Sequence, residues 1–252
     1  MQSQKAKGYK TWKADKRTRD LVREMAKSGR ANVVSGNRLI MYKAPAVKLG
    51  EIKSLDESSL SQTLSATAQI YPLNLIRAGS SFFNRIGRKI NLKSCHLKLY
   101  IVPIRTTAFP SYVRVMLVYD SQTNGALPAI SDIIQDTDQG GGNTTDATSS
   151  ANLNNRDRFK ILTDWRIVLP SSTYTAGVIT NPGFIDPVST TFDLERYVKL
   201  KGLITQYKAD SSPAVIGDIA TGGLYLVTYG DAGAGNEGYR VEGSARLRYY
   251  DS

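Results

Sequence analysis

The sequence predicts an all-β chain in which a single eight-stranded sandwich follows a basic, partly helical N-terminal arm. Three observations carry that expectation. Apolar and polar residues alternate with period two in successive runs beyond residue 66, and turn-forming Gly, Pro, Asn and Asp separate those runs. Almost all of the net charge lies in the first fifty residues. At 252 residues the chain suits one large domain or two small ones, and all-β sandwiches of this size are commonly one.

Residues 1–50 hold 13 Lys and Arg against Asp15, Asp20 and Glu24, a net +10 of the chain's +11, while the other 202 residues hold 20 basic and 19 acidic side chains. A cationic arm ahead of a nearly neutral body is expected where the two parts meet different partners, a polyanion and other protein. Between Thr11 and Ser28 there is no Gly or Pro, and Leu21, Val22 and Met25 form a short apolar patch, so a helix is expected over 14–27. Its apolar side is too narrow for firm insertion into a membrane surface. Lys5, Lys7, Lys10, Lys13, Lys16, Arg17, Arg19, Arg23, Lys27 and Arg30 are the expected phosphate contacts, because neutralising phosphates releases counterions and supplies most non-specific affinity. Trp12, with Tyr9 near it, is a stacking platform for bases. The run 13–19 also matches the pattern of a nuclear import signal.

Residues 51–66, polar and Ser-rich from 54 onward, read as a connector, and 67–252 as the sandwich. Strands are expected near 67–76, 90–102, 112–120, 159–169, 191–201, 203–208, 223–230 and 239–250. The alternation is clearest at the C-terminus, where Tyr239, Val241, Ala245, Leu247 and Tyr249 share one face and Arg240, Glu242, Ser244, Arg246 and Arg248 the other. In 113–119, Val113, Val115, Leu117 and Tyr119 point one way and Arg114, Met116 and Val118 the other, which predicts one buried and one partly buried face. Helical periodicity recurs only over 127–134. The connections 135–155 and 171–190 are long and polar, and the first is expected to face outward. Eight strands with such insertions fit a two-sheet jelly roll, a fold that serves capsids, lectins and cupins alike.

The residues for catalysis are missing. His96 is the one histidine and Cys95 the one cysteine, and as strand neighbours they point to opposite faces, so they cannot form a nucleophile and base pair. Gly140 to Gly142 lack the Lys-Ser/Thr ending of a phosphate loop, and Asp136 and Asp138 read as solvated loop carboxylates. Neither an enzyme nor a cofactor is expected. No apolar run approaches the ~18 to 20 residues that cross a bilayer, and the first residues lack a secretory signal, so a cytosolic or nuclear life is expected and Asn143-Thr144-Thr145 is an idle glycosylation match.

The run Asn84-Arg85-Ile86-Gly87-Arg88-Lys89-Ile90-Asn91-Leu92-Lys93-Ser94 and the strand after it resemble the early strands of coat proteins from small circular, Rep-encoding single-stranded DNA viruses. Val113 to Asp120 with 129–134, Arg158 to Asp164, 222–231 and 244–251 continue the resemblance in the same order, and the first of these is similar also to satellite tobacco necrosis virus-type coat proteins. The resemblance implies an eight-stranded jelly roll, a homo-oligomeric icosahedral shell of 60 copies, and an inward arm that binds a single-stranded genome, DNA ahead of RNA. It also implies a place in the virion, passage through the host nucleus or cytoplasm, and partners among host import and cell-surface receptors. Arg85, Arg88 and Lys89 are further candidates for genome contact or for ion pairs between subunits.

Overall fold

The computed structural model describes residues 33–35, 38–40, 50–104, 110–137, 143–171, 191–232 and 238–251. The chain forms two compact units, residues 1–49 and 50–252. The described part of the first is a short antiparallel hairpin of β1 (Val33–Ser35) and β2 (Arg38–Ile40). The helix expected over 14–27 lies outside the described residues.

The second unit is a sandwich of two antiparallel sheets. Its strands are β3 (Ile52–Thr63), β4 (Gln69–Pro72), β5 (Lys89–Pro103), β6 (Ser111–Asp120), β9 (Phe159–Leu169), β10 (Phe192–Tyr207), β11 (Ile219–Thr221), β12 (Gly223–Gly230) and β13 (Tyr239–Asp251). The pair β7 (Asp136–Thr137) and β8 (Asn143–Thr144) and the one-turn helix α1 (Ile130–Ile133) sit between β6 and β9. One sheet has the order β11-β10-β5-β13-β3 and the other β4-β12-β6-β9. Leaving aside the three-residue β11, four strands face four. The chain changes sheet after every long strand except between β6 and β9, which is jelly-roll topology.

Period-two alternation builds the core. Leu97, Leu99 and Ile101 of β5 and Val241 and Leu247 of β13 meet Val115 and Leu117 of β6 and Leu224 and Leu226 of β12, all buried in one cluster. The inward face expected for the last strand, Tyr239 through Tyr249, is buried. The runs expected at 191–201 and 203–208 are a single strand, β10, bent where Lys201 and Gly202 take left-handed φ values of 51° and 79°. Its pairing with β5 breaks there, between Lys199 and Leu203.

The expected connector is a correction. Residues 52–63 form β3, a twelve-residue strand hydrogen-bonded to β13 with Leu55 opposite Leu247. Its alternation is hidden because Lys53 occupies an inward position, buried against Asp251, while the serines face outward. A polar edge strand of this kind also resists pairing with foreign strands. The count of eight long strands therefore holds with a different membership: β3 is gained and two predicted runs merge.

The connection between β6 and β9 is packed down in part: Ile133, Ile134 and Ala147 pack with Met116, Val118, Phe159, Tyr225, Val227 and Tyr229 in a second core on the outer face of the four-stranded sheet. This covering explains why β6 and β12 are buried on both faces. Asp136 accepts from the Ser150 N–H at 2.8 Å, so it is not simply solvated. Residues 138–142, with Asp138 and the glycine run, lie outside the described residues.

Candidate nucleic-acid interface

Lys5, Lys7, Lys10, Trp12, Lys13, Lys16, Arg17, Arg19, Arg23, Lys27 and Arg30 all lie outside the described residues. Within residues 50–252, charges that nearly cancel in the sequence are sorted by the fold on the outer face of the five-stranded sheet. Strand register sets Asp56, Arg246, His96 and Tyr197 in one row across β3, β13, β5 and β10. The next row holds Ser54, Arg248, Ser94 and Lys199, and the one after it Ile52, Tyr250, Asn91 and Ile204.

Lys93 is the extra residue where β5 slips against β13 between Arg248 and Tyr249, and its ammonium lies 5.2 Å from the centre of the Tyr250 ring. Lys201 is exposed at the bend of β10, and Lys89, which opens β5, pairs with Gln206. This half of the face thus carries Lys89, Lys93, Lys199, Lys201, Arg246 and Arg248 against one acid, Asp56. Arg246 donates twice to that carboxylate, each bond 2.7 Å, which holds the Asp56 carboxyl below its ordinary range.

The other half of the face carries Lys98 and Arg240 against Asp193, Glu195 and Glu242. A cleft of about 710 Å3 there is lined by Lys98, Tyr100, Asp193, Glu195 and Glu242 among others. Tyr100 Oη donates to Glu242 at 3.1 Å, and Arg240 pairs with the same carboxylate. His96 Nε2 lies 2.9 Å from Glu195 Oε1 on this outer face, while Cys95 faces the core with no exposure and burial pushes its thiol up to about 12. The two point apart, as strand geometry requires. Among the described residues no three His, Cys, Asp or Glu gather as metal ligands, and no helix is long and apolar enough to cross a membrane.

Arg85 proves to be a structural residue, which corrects its candidacy for genome contact. It is 3% exposed, and its guanidinium donates to the carbonyls of Ile76, Gly87 and Ala209 at 2.9, 3.0 and 3.1 Å. It also lies 4.0 Å over the Tyr207 ring, and its donors tie the loop that joins β4 to β5 to the segment that follows β10, where Nη2 also meets Asp210 at 3.4 Å. Nearby, the Asp251 carboxylate accepts from Lys53 Nζ at 2.9 Å and from the N–H groups of Ile86 and Gly87 at 2.6 and 3.2 Å. Phe82, Phe83 and Ile86, on the loop so fixed, are 53%, 59% and 71% exposed. Arg88 and Lys89 are exposed.

A two-sheet jelly roll with a neutral body and a cationic N-terminal segment suits a coat protein, and comparison with known families decides the matter. The model of the geminivirus coat protein/nuclear export factor BR1 family matches residues 3–252. The chain belongs to that family. It is 27% identical to the capsid protein of Miscanthus streak virus (isolate 91) over 190 residues, which cover 71% of this chain and 72% of that one. The solved structure of Desmodium yellow mottle tymovirus aligns with 84% of this chain and 95% of its own at 12% identity and a TM-score of 0.32. The chain is therefore a viral capsid protein, a component of the virion, and not an enzyme, as its resemblance to coat proteins of circular single-stranded DNA viruses implied.

For this coat protein, the sequence pointed to the arm and passed over the sheet face. The face residues come from β5, β10 and β13, more than 140 residues apart at the extremes. The alternation placed Arg246 and Arg248 on an outer face, but nothing in it says which strands are neighbours.

Proposed function

We propose that this capsid protein closes into an icosahedral shell of 60 copies and packages a single-stranded DNA genome through Lys5, Lys7, Lys10, Lys13, Lys16, Arg17, Arg19, Arg23, Lys27 and Arg30. Trp12 adds base stacking. The observation that carries this reading is the charge split, +10 in residues 1–50 against +1 in the rest. Sixty arms bring on the order of 600 positive charges, which neutralise part of a genome of a few thousand phosphates and leave the rest to counterions and other basic surfaces. The exposed Phe82, Phe83 and Ile86, held on a loop braced by Arg85 and Asp251, have the character of anchors for contact with another copy. Many such contacts, repeated around symmetry axes, stabilise a closed shell.

Deleting residues 2–30 tests the assignment. The truncated chain is expected to fold and to form particles or their building blocks with little nucleic acid, read from the absorbance ratio at 260 and 280 nm. Packaging at the level of the full chain overturns the role given to the arm.

A second reading comes from the family's description, which pairs coat proteins with a nuclear export factor. In it the same capsid protein also works outside the shell, as a nucleic-acid carrier of movement or nuclear shuttle type, with the basic run 13–19 as its address to a host import receptor. Negative-stain microscopy of the purified chain separates the two, since the first gives closed shells alone and the second small oligomers beside them.

A further inference from the structure

We propose that the cationic half of the outer face of the five-stranded sheet is a second binding surface for single-stranded nucleic acid, separate from the arm. The inference takes from the functional reading only that the chain meets a genome, and it does not depend on the arm's role.

Charge decides the class of partner. Lys89, Lys93, Lys199, Lys201, Arg246 and Arg248 against Asp56 leave this half near +5, whereas Lys98 and Arg240 against Asp193, Glu195 and Glu242 leave the other half near −1. A second copy offering its acidic half would leave most of the positive charge unmatched. A row of phosphates matches it, and each contact releases counterions.

The arrangement also suits a single strand with unstacked bases. Tyr197 is 51% exposed beside the His96 ring, with centroids 6.0 Å apart, and Tyr250 lies one row beyond Arg248. Aromatic faces interleaved with cations give sequence-tolerant binding, because every base has a π face while the phosphates meet Lys and Arg. These side chains stand on paired strands, so the surface is ordered before its ligand arrives and loses little entropy on binding.

The test uses the full-length chain and a labelled oligothymidylate titrated over a range of salt. Replacing Lys93, Lys199 and Arg248 together by Ser is expected to make log K fall less steeply with log salt by about two, since each single-strand phosphate contact contributes about 0.7. The same titration on Lys16→Ser, Arg17→Ser and Arg19→Ser reports the arm separately, and its failure leaves the sheet surface standing. Photocrosslinking the unaltered chain to 5-iodouracil-substituted oligonucleotide needs no variant, and adducts are expected at Tyr197 or Tyr250. An unchanged slope with adducts confined to residues 1–50 overturns the proposal. So does loss of shell assembly in the sheet variant with unaltered oligonucleotide binding, which would give the face to a second copy.

Discussion

Lys53 Nζ and the Asp251 carboxylate meet at 2.9 Å with side chains 1% and 5% exposed, so the first and last strands of the sandwich are tied at one end by a buried ion pair. Removing one partner of such a pair leaves an uncompensated buried charge. Asp251→Ala is expected to lose about 3–5 kcal/mol in urea unfolding. The double change Lys53→Met with Asp251→Leu should not recover it, unlike many apolar replacements of buried pairs. The Ile86 and Gly87 N–H groups would still lose their acceptor.

The same carboxylate sets a pH dependence. Burial pushes its pKa up, but the Lys53 ammonium and the two backbone N–H groups outweigh that and hold it below the ordinary 3.8. A depressed folded-state pKa contributes stability that is present above the unfolded value and lost as pH falls through the folded one. The stability difference between the unaltered chain and Asp251→Asn should therefore be largest above about pH 5 and shrink as pH falls below 3.8. A difference that stays constant across that range would contradict the assignment.

Arg114, 1% exposed, holds the excursion between β6 and β9 onto the four-stranded sheet. Its guanidinium bonds both Asp164 oxygens at 2.8 and 2.9 Å and reaches the Ser149 carbonyl. Arg114→Lys keeps the charge and loses the planar fork, so about 2–3 kcal/mol should go. Protection against hydrogen exchange should fall first in residues 121–158, before the core strands. Asp164 keeps Arg166 at 3.2 Å, which limits the cost.

Cys95 offers a probe of global unfolding. With no exposure and a thiol pushed up to about 12, it should stay unlabelled by iodoacetamide at pH 8 in the native chain and react quickly in denaturant. Rapid labelling of the native chain would show that β5 opens locally.

The arm's charge and the strand positions were legible because both are local properties. Net charge needs no fold, and the inward and outward faces of β13 follow from a two-residue period in that strand alone. The bend in β10 was read as a gap between two strands, because the interruption at Gly202 is local while the pairing of both halves with β5 is not. β3 was not legible, because the feature that makes it a core strand, Lys53 beside Asp251, joins residues 198 positions apart and reads locally as polarity. Arg85 looked like a surface cation until its three carbonyl acceptors were seen around it.

The amino-acid sequence by itself determined an all-β body, a cationic N-terminal segment and the two faces of most strands, because period and composition act over a few residues. Tertiary structure decided which strands adjoin. Pairing across long loops gathered Lys93, Lys199 and Arg248 onto one face and buried the outer side of the four-stranded sheet under Ile133, Ile134 and Ala147. A body that sums to nearly zero charge along the chain is polar in space, since register, which no local pattern encodes, places each side chain beside its neighbours.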